Sequence, residues 1–377
     1  MSAVLLVANW PSDTGYAWRF IERYWLAIAK DLSSAGRPVL LCYPKITTLS
    51  PDIRNSGVQV IEFDFDLSKP RSLVRFVRDY EVTSVYLTDK PHFSVSYLLL
   101  KAAGVTAILI HDHTPGERAV PRGIPRVLKA VVAASGLTSA HMYIACSPFV
   151  YERMLASSLI PRRSCRLVTN GIDLDQYRGS QMAGPNIRDE LGISGDSVLV
   201  VSVGRATVFK GISRIIRAAA MLRERNTRLN VRFIHCGDGP DMQVFVDLTR
   251  SLHVEDTFRL LGSRTDVAAI LQHADIAVHA SDGEGLCLAI LEFMAAGLPT
   301  VVPDIWSVCQ SIADEQTGLW YRHDDISSLT DTLERLVIDG ALRAELGARA
   351  REVAQREYDI ETSLKLLVRT VHEAIAT

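Results

Sequence analysis

Short apolar runs rich in β-branched residues recur along the whole chain, and stretches with helical periodicity separate them. This alternation is typical of parallel β-sheets that helices cover on both faces. We therefore predict an α/β fold of two Rossmann-like, doubly wound sheets. The first half supplies the runs Val4–Ala8, Pro38–Tyr43, Val58–Phe63, Val82–Leu87, Val105–Ile110, Met142–Cys146 and Arg166–Thr169, and the second half supplies Val198–Val203, Val231–Cys236, Phe258–Leu261, Ile276–His279, Thr300–Val302 and Gly318–Tyr321.

The length of the chain, 377 residues, also predicts two domains, because single cores stop growing at about 250–300 residues. A turn signal at 170–173 and a polar stretch up to Asn186 separate the two sets of strands. We place the hinge near residue 178, between an N-terminal domain, 1–177, and a C-terminal domain, 178–359. The final helical segment, about 360–377, is expected to pack back on the first domain. Doubly wound sheets bind ligands at the carboxyl ends of their strands, so we expect two such edges to face each other across a cleft.

The composition is that of an ordinary globular protein, with 48% hydrophobic and 22% charged residues. Six cysteines lie at scattered positions without a C-x-x-C pair, which favours neither a zinc site nor a disulfide framework. We therefore expect a reducing, cytoplasmic location. The apolar run Val4–Ala8 is short and lacks a basic leader, so we interpret it as the first strand and not as a signal peptide.

The charge is unevenly distributed. The net charge of −2 argues against a nucleic-acid partner, but residues 1–177 hold 20 Lys and Arg against 15 Asp and Glu. Two interpretations are open for this excess: a solvated helix face, which is the commoner cause, or weak peripheral contact with anionic lipid or with a phosphorylated acceptor. The basic side chains concerned are Arg118, Arg122, Arg126, Lys129, Arg153, Arg162, Arg163 and Arg166.

The stretch 281–299 is the most informative part of the sequence. It follows a predicted strand, passes through a glycine-bearing loop, and enters a helix that Gly297 and Pro299 end. A helix start in this position offers free backbone N–H groups and a positive dipole end, which suit a diphosphate. Glu284 lies in the loop and Glu292 eight residues later in the helix, so the two carboxylates can hold different parts of one ligand. Glutamates on a solvated helix surface are the alternative.

A second anion-binding pattern, Gly204 to Gly211, follows the strand Val198–Val203. Arg205 and Lys210 flank this turn, and both cations can converge on phosphate oxygens that gain charge as a sugar bond breaks. A solvated turn is the alternative. The turns after the next two strands contribute Gly239, Gly262 and Arg264, which together could form one wall of a pocket for the nucleotide base.

These motifs, in this order and spacing, resemble the nucleotide-binding domain of retaining GT-B glycosyltransferases of family 4, whose E-x7-E signature matches Glu284 and Glu292. The resemblance covers about residues 165–350, and the N-terminal half is only loosely similar. It implies that Arg205, Lys210 and Gly204 hold the diphosphate, that Glu292 holds the ribose, and that Glu284 holds the donor sugar together with the backbone amides of Gly285, Leu286 and Cys287. It also implies that His111 lies beside the donor sugar.

Two departures from the family pattern concern the donor sugar and the acceptor. The loop after the first strand carries Gly15 alone in place of a glycine pair, and the later glycine-glycine…glutamate loop is replaced by 306–310. Trp10, Tyr16 and Trp18 are candidate acceptor contacts because aromatic rings stack on sugars, although we expect at least one of them to pack the first helix against its sheet. Asp112 and His113 are further candidates, and His111 itself could be a buried structural histidine.

The resemblance implies a glycosyltransferase that moves a hexosyl group from a nucleotide diphosphate sugar, for which we expect UDP in preference to GDP, with retention of anomeric configuration. The acceptor could be a glycan, a lipid-linked or a small molecule. No metal and no other cofactor is expected, because Arg205, Lys210 and the helix start supply positive charge. A nucleotide-sugar epimerase and a non-catalytic carbohydrate-binding protein are the alternatives.

Overall fold

Seven parallel strands form the sheet of the first structural unit, in the order β3-β2-β1-β4-β5-β6-β7. The structure is a computed structural model that describes residues 2–13, 16–177 and 186–376, with only the backbone described for 16–18. The strands are β1 (Ala3–Val7), β2 (Val39–Tyr43), β3 (Gln59–Glu62), β4 (Val82–Thr88), β5 (Ala107–Asp112), β6 (Met142–Ala145) and β7 (Cys165–Leu167). The helices between them are α1 (Tyr16–Ser34), α2 (Pro51–Asn55), α3 (Pro70–Asp79), α4 (Val95–Ala102), α5 (Gly123–Ser135) and α6 (Pro148–Ser157).

Six parallel strands form the sheet of the second unit, in the order β10-β9-β8-β11-β12-β13. The strands are β8 (Val198–Val203), β9 (Val231–Cys236), β10 (Phe258–Leu260), β11 (Ile276–Val278), β12 (Thr300–Pro303) and β13 (Gly318–Tyr321). The helices are α7 (Ile187–Leu191), α8 (Ile212–Arg225), α9 (Met242–Ser251), α10 (Val267–Gln272), α11 (Leu288–Ala296), α12 (Trp306–Cys309), α13 (Ile326–Ile338) and α14 (Gly340–Glu357). Short 3-10 turns lie at Arg162–Ser164, Leu174–Tyr177 and Val208–Lys210.

Every apolar run that we predicted as a strand forms one, with ends that differ by a residue or two. The predicted fold class, two doubly wound α/β sheets, is confirmed. Burial explains why the runs were visible in the sequence: β1, β2 and β12 are buried along their whole length, as expected for parallel strands with helices on both faces.

Contacts divide the chain into a first unit, 1–169 with 361–377, and a second unit, 170–360. The last helix, α15 (Ile360–Ala376), returns to the first unit, where Oγ of Ser363 donates a hydrogen bond to the carbonyl of Thr169. Residues 170–177, which we assigned to the first domain, group with the second unit, because Ile172 forms a β-bridge with Asp359 and packs in a core cluster of that unit. The predicted hinge near residue 178 lies outside the described residues.

No helix among the described residues is long and apolar enough to cross a membrane.

Candidate functional site

The candidate site lies where the strand order of the second sheet reverses. Strands β8 and β11 are neighbours there, and the chain leaves β8 toward β9 on one side and leaves β11 toward β12 on the other. When the loops that follow two adjacent parallel strands run in opposite directions, a crevice forms between them at the carboxyl ends of the strands. The two segments that we predicted to bind an anion, 204–211 and the loop that begins the stretch 281–299, follow these two strands and so meet at this crevice.

A close backbone contact joins the two loops. Gly211 adopts φ +68°, and a Cβ atom on it would lie 1.9 Å from the carbonyl oxygen of Ala280. The amide of Asp282 donates to the carbonyl of Phe209 at 3.0 Å, and Nη1 of Arg214 donates to the carbonyl of Ala280 at 2.8 Å. Glycine is needed at position 211 both for its left-handed conformation and for the missing side chain. This contact fixes the position of the neighbouring Lys210.

Lys210 and Glu284 form an ion pair at the meeting point of the loops. Nζ of Lys210 lies 2.6 Å from Oε1 of Glu284, and Nε2 of His279, at the end of β11, lies 2.8 Å from the same oxygen. Burial by itself would raise the pKa of Glu284, but the positive charges of Lys210 and His279 lower it to about 2. The carboxylate is therefore ionised throughout the neutral pH range.

The same network changes the charge states of the two cations. Burial lowers the pKa of His279, but its interactions with Cys287 and Glu284 outweigh burial and raise the pKa to about 9. For Lys210, too, burial opposes the charged form, and Glu284 raises the pKa above its ordinary value. Two groups with raised pKa values, Lys210 and His279, thus flank the carboxylate of Glu284.

Cys287 completes the cluster, with Sγ 3.4 Å from Nε2 of His279. The ligand atoms of His279, Glu284 and Cys287 lie within 4.8 Å of one another, a set that zinc could use. Nζ of Lys210 also contacts the Glu284 carboxylate, so this carboxylate has a cationic side-chain partner as well.

Helix α11 starts beside this cluster. Cys287 is its N-cap residue, and no described side chain forms a capping hydrogen bond there, so its first N–H groups can donate to a ligand. Glu292 lies on α11 and is 6% exposed. The helix ends at Gly297, which adopts φ +76°, as the sequence predicted. Before the helix, Nε2 of Gln310 donates to the carbonyl of Gly285, which links the end of α12, the helix formed where we expected the loop 306–310, to the predicted donor-sugar loop.

The glycine turns after β8, β9 and β10 pack on one another. The amide of Gly237 donates to the carbonyl of Gly262 at 2.7 Å, and a Cβ on Gly237 would lie 1.8 Å from the carbonyl oxygen of Gly204. A Cβ on Gly239 would lie 2.4 Å from the carbonyl oxygen of Ala206. The predicted residues Gly204, Gly239 and Gly262 therefore line one end of the sheet, where they have a structural role in close backbone packing.

Arg205 and Arg264 differ in their partners. Arg205 is exposed, and its side chain forms no hydrogen bond or ion pair within the described ranges, although its carbonyl accepts from the amide of Thr207 at 2.8 Å. The guanidinium of Arg264 instead binds Glu190 at 2.7 and 2.9 Å and Asp266 at 2.8 Å. These carboxylates hold Arg264 in the turn after β10. The guanidinium N–H groups of Arg205, in contrast, have no acceptor among the described residues.

In the first unit, His111 at the end of β5 is fully buried. Its Nδ1 lies 2.5 Å from the hydroxyl of Tyr86, and its ring centroid lies 4.0 Å from that of His113. Burial, with the neighbouring His113, lowers its pKa well below the ordinary value, so His111 is neutral. Its Nε2 atom is buried and has no hydrogen-bond partner among the described residues.

The carboxylate of Asp112 belongs to a buried hydrogen-bond network. Its Oδ1 accepts from the backbone and hydroxyl of Thr114, and its Oδ2 accepts from Nε2 of His92 at 3.0 Å and Nη2 of Arg153 at 3.1 Å. Arg153, which we grouped with the solvated basic residues, has a side chain only 3% exposed. Asp112 and Arg153 therefore stabilise the turn after β5, and both are committed to intramolecular contacts.

The remaining acceptor candidates, Trp10 and His113, lie in the loops that follow β1 and β5. Trp10 is 51% exposed, and the amide of His113 donates to Asp89 at 2.6 Å. Gly15 lies outside the described residues, and so do the side chains of Tyr16 and Trp18.

Sequence analysis missed His279 and Arg214. A histidine at a strand end, five residues before Glu284, was the available signal for the first. Nothing in the local pattern of α8 marks Arg214, which reaches the loop carbonyl of Ala280 and the carboxylates of Asp282 and Asp324.

Two family models match the chain in tandem. Residues 21–176 match the model described as Glycosyltransferase Family 4, and residues 184–353 match that described as Glycosyl transferases group 1.

Curated relatives are similar mainly over part of their length. N-acetyl-alpha-D-glucosaminyl L-malate synthase of Bacillus anthracis is 26% identical over 201 residues, which are 53% of this chain and 51% of that protein. D-inositol 3-phosphate glycosyltransferase of Corynebacterium aurimucosum is 33% identical over 199 residues, 50% of this chain and 47% of that protein. The chain thus spans about half the length of these two relatives. The putative glycosyltransferase EpsF of Bacillus subtilis is 25% identical over 309 residues, 80% of this chain and 79% of that protein.

Solved structures share the fold over the whole chain. A glycosyltransferase from Rickettsia africae has a TM-score of 0.78 at 16% identity, covering 99% of this chain and 98% of its own. Anabaena Alr3699/HepE in complex with UDP has a TM-score of 0.77 at 18% identity, covering 99% and 100%. The chain therefore has the fold of the GT-B glycosyltransferases, with a Glycosyltransferase Family 4 domain at residues 21–176 and a Glycosyl transferases group 1 domain at residues 184–353.

Proposed function

We propose that this protein is a glycosyltransferase that moves a hexosyl group from a nucleotide diphosphate sugar to an acceptor hydroxyl, with retention of anomeric configuration. The observation that carries this proposal is the cluster of Lys210, His279 and Glu284 beside the start of α11. It combines fixed positive charge, free backbone donors and one ionised carboxylate within a single crevice, as a sugar diphosphate requires.

The nucleotide sugar lies at the carboxyl ends of β8 and β11, where the strand order of the second sheet reverses. The diphosphate binds Lys210, the exposed Arg205 and the N–H groups at the start of α11. The carboxylate of Glu284 accepts hydrogen bonds from the sugar hydroxyls, and the amides of Gly285 and Leu286 donate hydrogen bonds to them. Glu292, deeper on α11, binds the ribose. UDP is the preferred carrier in this proposal, since the Anabaena protein similar in fold holds UDP or UDP-glucose.

The reaction then breaks the bond between the anomeric carbon and the β-phosphate oxygen, and the acceptor hydroxyl oxygen forms the new bond to that carbon on the same face. The hydroxyl proton passes to the departing phosphate. Lys210 and Arg205 stabilise the charge that grows on the diphosphate, so the reaction is proposed to proceed without a metal ion.

The acceptor is a glycan, a lipid-linked or a small molecule. Malate and inositol phosphate appear in the names of the two relatives similar over half their length, so small hydroxylated anions are the first acceptors to try.

A ligand screen tests the donor assignment. UDP and UDP-glucose should raise the apparent melting temperature by at least about 2 °C, because a ligand that binds only the folded state stabilises it. GDP and AMP should have smaller effects. If no nucleoside diphosphate shifts the transition, the proposal is wrong.

Incubation with UDP-glucose and candidate acceptors tests the reaction. The glycosyltransferase proposal predicts UDP release that depends on the acceptor and a product with the α configuration of the donor by NMR. Isomerised donor without acceptor would instead show an epimerase, and binding of donor without any turnover would favour a carbohydrate-binding protein.

A further inference from the structure

Helix α5, Gly123–Ser135, presents an apolar stripe to solvent. Its large hydrophobic side chains recur at three- and four-residue spacing, which places them on one face of the helix. Such a face normally packs on a core, but only Ala133 of this helix is buried. The exposed fractions are 76% for Ile124, 62% each for Val127, Leu128 and Val131, and 41% for Val132.

The stripe continues beyond both ends of the helix, where Val120 is 48% exposed and Leu137 is 58% exposed. Seven large exposed hydrophobics therefore lie within eighteen residues of chain. Elsewhere in the described residues such side chains form smaller groups, such as Val95, Leu98 and Leu99 on α4, or stand singly, such as Val244 and Ile338. A contiguous apolar patch of this kind marks an interaction surface.

Helix α5 has little internal support for its conformation. Apart from buried Ala133, it is held by Lys129, whose Nζ donates to the carbonyl of Ser157 at 2.7 Å. A helix of 13 residues is marginal in water on its own, and helices gain most of their stability by covering an apolar face. An external surface that covers the stripe would supply this stabilisation.

The charges around the stripe all have one sign. No Asp or Glu occurs between Glu117 and Glu152 in the sequence, whereas four basic residues do: Arg118, Arg122, Arg126 and Lys129. Arg122 and Arg126 are exposed. A second copy docked on the same face would bring these cations together, which disfavours a symmetric dimer. An anionic surface is complementary to them.

We propose that α5 is a membrane-binding helix that lies in the interface of an anionic lipid bilayer. The stripe from Val120 to Leu137 enters the acyl boundary, and Arg122 and Arg126 reach the lipid phosphates with their long side chains. Each basic residue near such a surface adds to the attraction, which is lost at high salt. The proposal depends on none of the donor-site chemistry.

Flotation of the full chain with vesicles tests the proposal. Vesicles of equal parts phosphatidylglycerol and phosphatidylcholine should carry the protein upward at low salt, and pure phosphatidylcholine vesicles should carry at least about tenfold less. The triple variant Val127→Ser, Leu128→Ser, Val131→Ser should partition at least about tenfold less onto the anionic vesicles, since each buried apolar group contributes to insertion. The double variant Arg122→Gln, Arg126→Gln should lose binding to a similar extent.

The control is the double variant Val244→Ser, Ile338→Ser, which changes exposed apolar residues of the second unit and should bind vesicles as the wild type does. Circular dichroism checks that every variant is folded. Absence of flotation at low salt, or equal flotation of the wild type and the triple variant, would overturn the proposal. So would a dimer that the triple variant abolishes in sedimentation while lipid binding is absent, because the stripe would then be a protein interface.

Discussion

Nζ of Lys210 lies 2.6 Å from Oε1 of Glu284, although 74 residues separate the two in the chain. The contact exists because β8 and β11 are adjacent at the reversal of strand order, and because Gly211 allows the two loops to touch. The carboxylate is thereby kept ionised in a buried position, and the ammonium group is held at the start of α11. Several measurable consequences arise from this arrangement.

Replacement of Lys210 by alanine should lower UDP affinity and reduce turnover by about 10²–10³-fold, because a cation that stabilises the leaving group is removed. Calorimetric titration with UDP and the rate of UDP release measure the two effects. Lys69→Ala is the matched control, since the Lys69 side chain is 61% exposed and pairs only with surface carboxylates. Wild-type affinity and turnover in the Lys210 variant would remove this residue from the proposed role.

Arg205→Ala should weaken UDP binding while leaving the melting temperature unchanged, because the Arg205 side chain is exposed and has no partner among the described residues. The control is Arg259→Ala, an exposed arginine on β10. Titration with UDP and thermal unfolding of both variants distinguish a ligand-binding role from a structural one. A lower melting temperature with unchanged UDP affinity would contradict the prediction.

Gly211→Ala should destabilise the protein by at least about 3 kcal/mol, because the new Cβ combines backbone strain with a clash against the carbonyl of Ala280. Gly192→Ala separates the two causes. Gly192 has a similar φ of +64° but open space around its Cβ position, so only the strain, about 1 kcal/mol, should appear. Urea unfolding measures both values, and equal losses in the two variants would show that the loop contact is unimportant.

The stability should depend on pH through His279. Its folded-state pKa, about 9, exceeds the ordinary 6.5, so its contribution is fully present below pH 6.5 and is lost as pH rises through 9. We expect a fall in unfolding free energy on the order of 1–3 kcal/mol over that range. His279→Gln should lack this fall, whereas His253→Asn, at an exposed position, should keep it. Unfolding in urea at pH 6.5 and pH 9 is the measurement.

Glu284 has the opposite dependence, because its folded-state pKa, about 2, lies below the ordinary 4.5. Its contribution is fully present above pH 4.5 and is lost as pH falls through 2.

Arg153→Met should cost about 3–5 kcal/mol of stability, since it leaves the buried carboxylate of Asp112 without its guanidinium partner. Arg118→Met is the control, because Arg118 lies 3.7 Å from the same carboxylate but is 40% exposed, and its loss should cost less than about 1 kcal/mol. Denaturant unfolding measures the difference. Equal costs would show that burial of the Asp112 network contributes little.

The sequence by itself determined the secondary structure and the fold class. Hydrophobic runs such as β8 and β12 are local patterns, and glycines such as Gly297 end helices through local backbone conformation. The two loops with anion-binding character were visible for the same reason, since a turn between a strand and a helix is encoded by residues close together in the chain.

Only the tertiary structure decided which side chains meet. The partnership of His279 with Glu284, the burial of Arg153 against Asp112, and the exposure of the α5 stripe depend on strand order and on packing between distant segments. An arginine has the same local pattern whether it is solvated or buried, and an apolar helix face looks alike whether a core covers it or not. Pairing across the sheet is a property of the assembled fold, and for that reason local periodicity could not reveal it.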